Sequence, residues 1–548
     1  MRVLGINAVF HDSAAVVMID GRTVAAAEEE RFSRRKHGKR PVPFSAWELP
    51  EAAIRWCLDH AGLAASDIDA VAYSYDPSLV DLDTVHGDRH GGLDPRWEEL
   101  RTTYAERAPH FLSTVLGGAP TGTFHHVRHH VAHAASAGLL APFDGSCAVL
   151  VSDGRGESTS MLSGRYIDSK LEVYATQSLP HSLGLLYEDL TEHLGFARSS
   201  DEYKVMALAS YGRPRHLPLL RQFVHVTDDG GFRTESIDWE QLVPRRTADA
   251  KFDERHADLA CSVQAVVEEV LLALARDLAD RSGERRLAMA GGTALNCVAN
   301  TRLLAEGPFD EIWVQPAAGD SGTAWGAAAT VAAEAGDTIA PMTTAALGRR
   351  WSDDEIAAVL TVAKVPFERP VDIASATAEV LADNGIVAWF QGPSEFGPRA
   401  LGHRSLLAHP GHAGNVERLN DVKGREQFRP VAPMVLSSRA AELFSRGPIP
   451  SPYMLFVHDV DPEWRDRLPA VTHVDGTARI QTVEDDSGPT ASMLKDFGRR
   501  TGIPVVVNTS LNTAGRPMVD SPHDALELFG SSPVDALAIG PFLVRRAR

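Results

Sequence analysis

Two segments of this chain repeat one pattern, and that repeat narrows the fold more than any other feature. Val3 to Ala8 reads as a strand, followed by the polar loop Phe10-His11-Asp12-Ser13. A strand over Ala14 to Ile19, the dipeptide Asp20-Gly21 and a strand over Thr23 to Ala27 complete the unit. Asp-Gly between two apolar runs marks a tight hairpin, because both turn residues tolerate positive φ. The pattern returns at Ser146 to Ser152, Asp153-Gly154-Arg155-Gly156, Ser158 to Arg165 and Leu171 to Thr176. A repeat of pattern without a repeat of residues points to a duplicated α/β domain. Between and after the units, Ala70 to Ser74 reads as a short strand, and Leu49 to Ala61 and Ser182 to Leu190 as helices.

The chain has 548 residues, too many for one core, so two or more domains are expected. The stretch Ala335-Gly336-Asp337-Thr338-Ile339-Ala340-Pro341 reads as a boundary, giving domains 1–340 and 341–548. A net charge of −19 opposes a nucleic-acid partner. The four cysteines are scattered with no Cys-x-x-Cys, which fits a reducing compartment and argues against cysteine metal ligands. With no signal peptide and no apolar run long enough to span a bilayer, a cytoplasmic protein with no membrane partner is expected.

His125-His126-Val127-Arg128-His129-His130-Val131-Ala132-His133 holds five histidines in nine residues and runs on into an alanine-rich stretch with helical character. On a helix, His126 with His130 and His129 with His133 stand four apart on one face, and such a pair can hold one divalent cation if carboxylates come from elsewhere. Downstream, two strands run into glycine loops that open helices: Leu287 to Ala290 into Gly291-Gly292-Thr293-Ala294-Leu295-Asn296, and Glu311 to Val314 into Pro316 to Thr323. Backbone N–H groups in such loops can approach an anion at a helix N-terminus, which suits a nucleotide. Asp153 and Asp320 lie in loops of this kind and would supply the carboxylates the histidines lack.

Cations elsewhere interleave with Gly, Pro and Asn. The charged segment from Glu28 to Arg40 carries Lys36. Beyond the boundary come Arg399, Lys423, Arg429, Arg479 and the strand Pro504 to Val507 that ends in Asn508. Arginine and lysine in loops beside strand ends suit phosphate or carboxylate groups.

Several strings together resemble the O-carbamoyltransferase family that modifies nodulation factors, cephems and aminoglycosides. They are Asn7 to Ala14, Glu28 to Ser33, His129 to Ala134, Asp201 to Met206, Gly291 to Asn296 and Gly319 to Gly322. In the second half Gly397 to Gly402, Phe428-Arg429-Pro430 and Asn508 to Asn512 match as well. The resemblance implies an actin-like ATPase-type first domain and a YrdC-like α/β second domain. It also implies a reaction. Carbamoyl phosphate loses phosphate in the second domain, the carbamate and ATP (entering as its Mg2+ complex) give carbamoyl-adenylate, and the first domain transfers the carbamoyl group to a small hydroxylated acceptor, such as an antibiotic precursor.

By position, the resemblance makes His129, His133, Asp153 and Asp320 ligands of Fe(II), with zinc or manganese also compatible with the ligand types. Lys36, Asp153, Gly154, Arg155, Tyr187, Gly292 and Asn296 are implied to contact the adenylate, and His11 to act as the base on the acceptor hydroxyl. Arg399, Lys423, Arg429, Arg479 and Asn508 are implied to bind carbamoyl phosphate and ATP. A threonylcarbamoyl transferase acting on tRNA would use the same folds, but the acidic charge opposes it. A sugar-kinase-type ATPase needs neither the histidine pair nor the second domain. A non-catalytic nucleotide-binding regulator does not need His11 beside a metal site.

Overall fold

A computed structural model describes residues 1–39, 48–80, 95–118, 120, 122–247 and 250–546; Arg40, the end of the charged segment, lies outside the described residues. Two compact units divide the chain, Met1–Thr344 and Ala345–Arg548.

The first unit is built from two sheets of the same topology. One contains β1 (Arg2–Asn7), β2 (Ala14–Ile19), β3 (Arg22–Glu28), β4 (Ala70–Tyr73) and β5 (Thr123–His126), in the order β3-β2-β1-β4-β5. The other uses β6 (Cys147–Ser152), β7 (Thr159–Ile167) and β8 (Lys170–Ser178). After the small ribbon of β9 (Val224–Val226) and β10 (Phe232–Thr234), it is completed by β11 (Arg286–Ala290) and β12 (Glu311–Val314), in the order β8-β7-β6-β11-β12. In both, the first strand pairs antiparallel with the hairpin and parallel with the next strand. This is the duplicated α/β arrangement that the repeat predicts. Asp20 and Gly21 both adopt positive φ (50° and 73°), as the hairpin requires.

Two helices bind the halves together by exchange. The helix His129–Gly138 follows β5, yet its Ala134, Ala135 and Ala137 pack with Val149, Val151 and Ala288 of the other sheet. The helix Ser321–Glu334 follows β12 and packs against β1, β2 and β4. Small residues permit this closeness. A Cβ on Gly5 would sit 2.0 Å from the Ala324 carbonyl, and one on Gly326 would sit 1.7 Å from the Ala132 carbonyl, where the two helices cross. Gly326→Ala must therefore push these helices apart, and overpacking of this kind typically costs about 1–3 kcal/mol. A lowered Tm, read by thermal denaturation beside wild type, is the expected result.

One expectation needs correction. His125 and His126 are not helical. Thr123–His126 is β5, paired in parallel with β4, and the helix begins at His129. His126 therefore cannot pair with His130 across a helical turn. The His126 ring instead lies 3.0 Å from the Tyr75 carbonyl.

The second unit is a seven-stranded mixed sheet flanked by helices. Its strands are β13 (Val387–Phe390), β14 (Arg404–Ala408), β15 (Ala432–Leu436), β19 (Gln481–Val483), β20 (Val505–Ser510), β21 (Ala536–Ile539) and β22 (Phe542–Arg545), in the order β19-β15-β20-β14-β13-β21-β22. β16 (Phe444–Ser445), β17 (His458–Val460) and β18 (Thr477–Ala478) form a separate ribbon. Trp389, Phe390, Leu406, Val506 and Leu537 anchor the core. No described helix in either unit is long and apolar enough to cross a membrane.

Candidate active site

The first candidate site forms where the loops after β1 and β6 and the loop before the Ser321–Glu334 helix meet the histidine helix. Buried Asn7, at the end of β1, donates through Nδ2 to the carbonyls of His11 (3.0 Å) and Asp12 (3.1 Å), and so shapes the following loop. Phe10 and Asp12 in that loop hold positive φ (54° and 50°), a strained conformation that this surrounding network fixes. The helix start is fixed from afar. Glu157 Oε1 accepts from His129 N at 2.7 Å and from Asp76 N at 2.9 Å, placing a carboxylate at the helix N-terminus.

His129, His133, Asp153 and Asp320, all buried, bring one ligand atom each within 4.8 Å of one another. His129 Nε2 lies 3.6 Å from Asp153 Oδ2 and 3.6 Å from Asp320 Oδ1; for His133 Nε2 the distances are 3.9 and 3.6 Å. Both Nε2 atoms are buried without a hydrogen-bond partner. His129 Nδ1 faces the Ser74 carbonyl at 3.2 Å, an acceptor that places the proton on Nδ1 and leaves the Nε2 lone pair for the cluster. Gly292 N–H holds Asp153 Oδ1 at 2.8 Å, which turns Oδ2 toward the imidazoles. Two imidazoles and two carboxylates fit a divalent first-row ion.

Charge ties the cluster to His11. Burial alone would raise Asp320, but His11, then His129 and His133, overcome it and hold the carboxyl well below its usual range. Burial alone would lower His11, but Asp320, then Asp12 and Asp153, outweigh it and raise the ring to about 10. His11 Nδ1 stands 2.9 Å from Asp12 Oδ2 and 3.9 Å from Asp320 Oδ2. Its side chain is 27% exposed, while those of His129 and His133 are fully enclosed.

The implied adenylate residues gather only in part. Ser182 Oγ donates to the Gly154 carbonyl at 2.7 Å, and a Cβ on Gly184 would strike Gly154 at 2.7 Å, so the loop after β6 lies directly on the helix Leu183–His193. From that helix, Tyr187 Oη donates to Gln264 Oε1 (3.0 Å), and the Gln264 amide exchanges hydrogen bonds with Asn296 (3.1 and 2.9 Å). Asp153, Gly154, Tyr187, Gly292 and Asn296 thus surround one place. Arg155 turns instead to the Phe10 ring (5.3 Å), and Lys36 pairs with Glu30 (3.3 Å).

In the second unit, the pairing of β14, β15, β19 and β20 brings the five implied phosphate-site residues to one end of the sheet. Arg399 precedes β14 on a loop folded round Glu395, whose Oε1 accepts from the N–H groups of Leu401, His403 and Arg404. Arg429 and Arg479 precede β15 and β19, and Asn508 lies within β20. Lys423 is the last residue of the helix Asn415–Lys423, not a loop residue, and its Nζ meets Ser510 Oγ (2.9 Å) and Asn512 Oδ1 (2.5 Å). Among the described residues here, Arg479 Nε and Asn508 Oδ1 are buried without a hydrogen-bond partner.

Comparison with known proteins decides the family. The model for the carbamoyltransferase N-terminus matches residues 2–119 and 120–329, and that for the C-terminus matches 378–546. The chain belongs to the carbamoyltransferase family. Nodulation protein NolNO of Sinorhizobium fredii (strain NBRC 101917 / NGR234) is 36% identical over 571 residues, covering 98% of this chain and 80% of that protein. Nodulation protein NolO of Bradyrhizobium diazoefficiens is 39% identical over 441 residues, covering 77% of this chain and 79% of that protein. Among solved structures, full-length HypF in its phosphate- and nucleotide-bound form matches 62% of this chain and 56% of its own, at TM-score 0.36 and 13% identity.

This carbamoyltransferase also places residues at the site that sequence reasoning passed over. Asp12 bridges two rings, since its Oδ1 lies 2.8 Å from His37 Nδ1, and His37 Nε2 lies 2.8 Å from Ser200 Oγ. His11, Asp12 and His37 offer a second group of metal-capable atoms; the short contacts on both Asp12 oxygens make it a hydrogen-bonded chain. His130, which helical spacing pairs with His126, instead turns its Nε2 to Asp153 Oδ2 at 3.9 Å. Only the loop glycines beside Asp153 hinted that the backbone there passes close to other groups.

Proposed function

We propose that this carbamoyltransferase is an ATP-dependent O-carbamoyltransferase that takes carbamoyl phosphate through carbamoyl-adenylate to a hydroxyl of a small molecule, in the biosynthesis of an antibiotic or related metabolite. The observation that carries the reading is His11, partly exposed, standing directly on a buried cluster of two histidines and two aspartates.

In the second unit, water splits carbamoyl phosphate into carbamate and phosphate. A carbamate oxygen then attacks the α-phosphorus of ATP, and pyrophosphate leaves. The unpaired donor Arg479 Nε suits a phosphate oxygen, and the unpaired acceptor Asn508 Oδ1 suits the N–H of a carbamoyl group. In the first unit the acceptor oxygen attacks the carbonyl carbon of the adenylate, AMP leaves, and the hydroxyl proton passes to His11. A divalent ion, Fe(II) by family, held by His129, His133, Asp153 and Asp320 would supply Lewis-acid polarisation of the carbamoyl or phosphate oxygens. Positive charge there also offsets Asp320 and Asp153, the field that holds His11 protonated, so the base role requires the filled cluster.

Arg429→Ala and Arg479→Ala are expected to lower pyrophosphate release in the presence of carbamoyl phosphate and ATP by about 10- to 100-fold, the loss of one charge-assisted contact of about 1.5–3 kcal/mol. Transfer from carbamoyl-adenylate supplied directly should stay at the wild-type rate. If both variants also lose that transfer, the division of the chemistry between the units is wrong.

A further inference from the structure

His130 lies outside the four ligands and has no part in the steps above. Its surroundings nevertheless give it a task. The ring is 2% exposed, and Nδ1 lies 2.7 Å from Thr159 Oγ1. Nε2 is buried without a hydrogen-bond partner and is aimed at Asp153 Oδ2, 3.9 Å away. The loop after β6 pins the ring, since a Cβ on Gly156 would stand 3.2 Å from His130 Cε1.

We propose that His130 is a positioning residue for the cation, acting through Asp153. The Thr159 hydroxyl donates to Nδ1, which places the ring proton on Nε2, and that N–H closes on Asp153 Oδ2 when the cluster is filled. Gly292 N–H already holds Oδ1. Between them the two donors set the plane of the carboxylate and present Oδ2 to the space shared by His129 and His133. A group that orients a metal-binding carboxylate typically changes affinity by about 10–100-fold. The inference rests on the proposed metal role of the cluster.

The test is Fe(II) affinity, measured anaerobically by competition with a chromophoric chelator, on wild type, His130→Phe, His130→Gln and Thr159→Val. The thermal stability of each metal-free protein is measured alongside. His130→Phe should bind Fe(II) at least tenfold more weakly, while its metal-free Tm stays at or above wild type, because an unpaired buried nitrogen is removed. His130→Gln retains an N–H donor and should recover most of the affinity. Thr159→Val, a smaller change that tests the proposal if His130→Phe does not fold, should weaken binding by an intermediate factor. Unchanged affinity in both His130→Phe and Thr159→Val overturns the proposal. Equal weakening in His130→Phe and His130→Gln also overturns it, because the ring would then be a direct ligand. No Fe(II) binding by wild type removes the metal reading itself, and the inference with it.

Discussion

Asp320→Ala is expected to lose bound divalent metal and acceptor carbamoylation together, while the protein stays folded and still releases pyrophosphate. Asp320 Oδ1 stands 3.6 Å from both imidazole Nε2 atoms, so removing it takes away one of the two carboxylates that face both histidines. Two imidazoles and Asp153 remain, and affinity should fall by about a hundredfold or more. Lewis-acid stabilisation is worth several kcal/mol, so transfer should slow on the order of 10³-fold. The fold should persist because Asp320 makes no side-chain cap for the Ser321–Glu334 helix, which is held by its packing against β1, β2 and β4. Metal analysis of the purified variant, beside pyrophosphate release and carbamoylated product, separates these effects. Full metal content with normal transfer would remove the cluster from the reaction.

His11→Asn should leave adenylate formation intact and slow transfer by about 10²–10⁴-fold, the usual contribution of a positioned base. The sign of the pH dependence follows from the field around the ring. With the cluster carboxylates uncompensated, His11 stays protonated up to about 10, and a protonated ring cannot accept the acceptor's proton. Positive charge beside Asp153 and Asp320 favours the neutral ring and lowers that value. Wild-type transfer should therefore rise with pH through an apparent pKa below 10, and that limb should be missing in His11→Asn. The variant's deficit should shrink at high pH, where hydroxide partly replaces the base. Equal loss of pyrophosphate release and transfer would assign His11 to structure instead.

What could be read from the residues divides along local and non-local lines. The hairpin at Asp20-Gly21 was legible because its turn chemistry lies in two adjacent residues, and the duplicated sheets followed from the same pattern at Asp153. Legibility failed at His126. Thr123–His126 becomes a strand by pairing with β4, and Arg128 offers the helix no side-chain cap. The carboxylate at that helix start is Glu157, twenty-eight positions away. His130 is misread for the same reason: helical spacing pairs it with His126, while its actual neighbours, Thr159 and Asp153, meet it only after folding. Lys423 reads as a loop cation among Gly and Arg neighbours, yet it ends a helix whose position is set by Ser510 and Asn512. Periodicity carries no trace of such distant partners.

The most direct measurement follows every product when the metal-loaded protein is given carbamoyl phosphate, ATP and a panel of hydroxylated small molecules. The account predicts that pyrophosphate, AMP and phosphate appear in equal amounts, that pyrophosphate release requires carbamoyl phosphate and ATP together, and that one acceptor gains the mass of a single carbamoyl group. Formation of ADP in place of AMP and pyrophosphate, or carbamoylated product made without ATP, would contradict it.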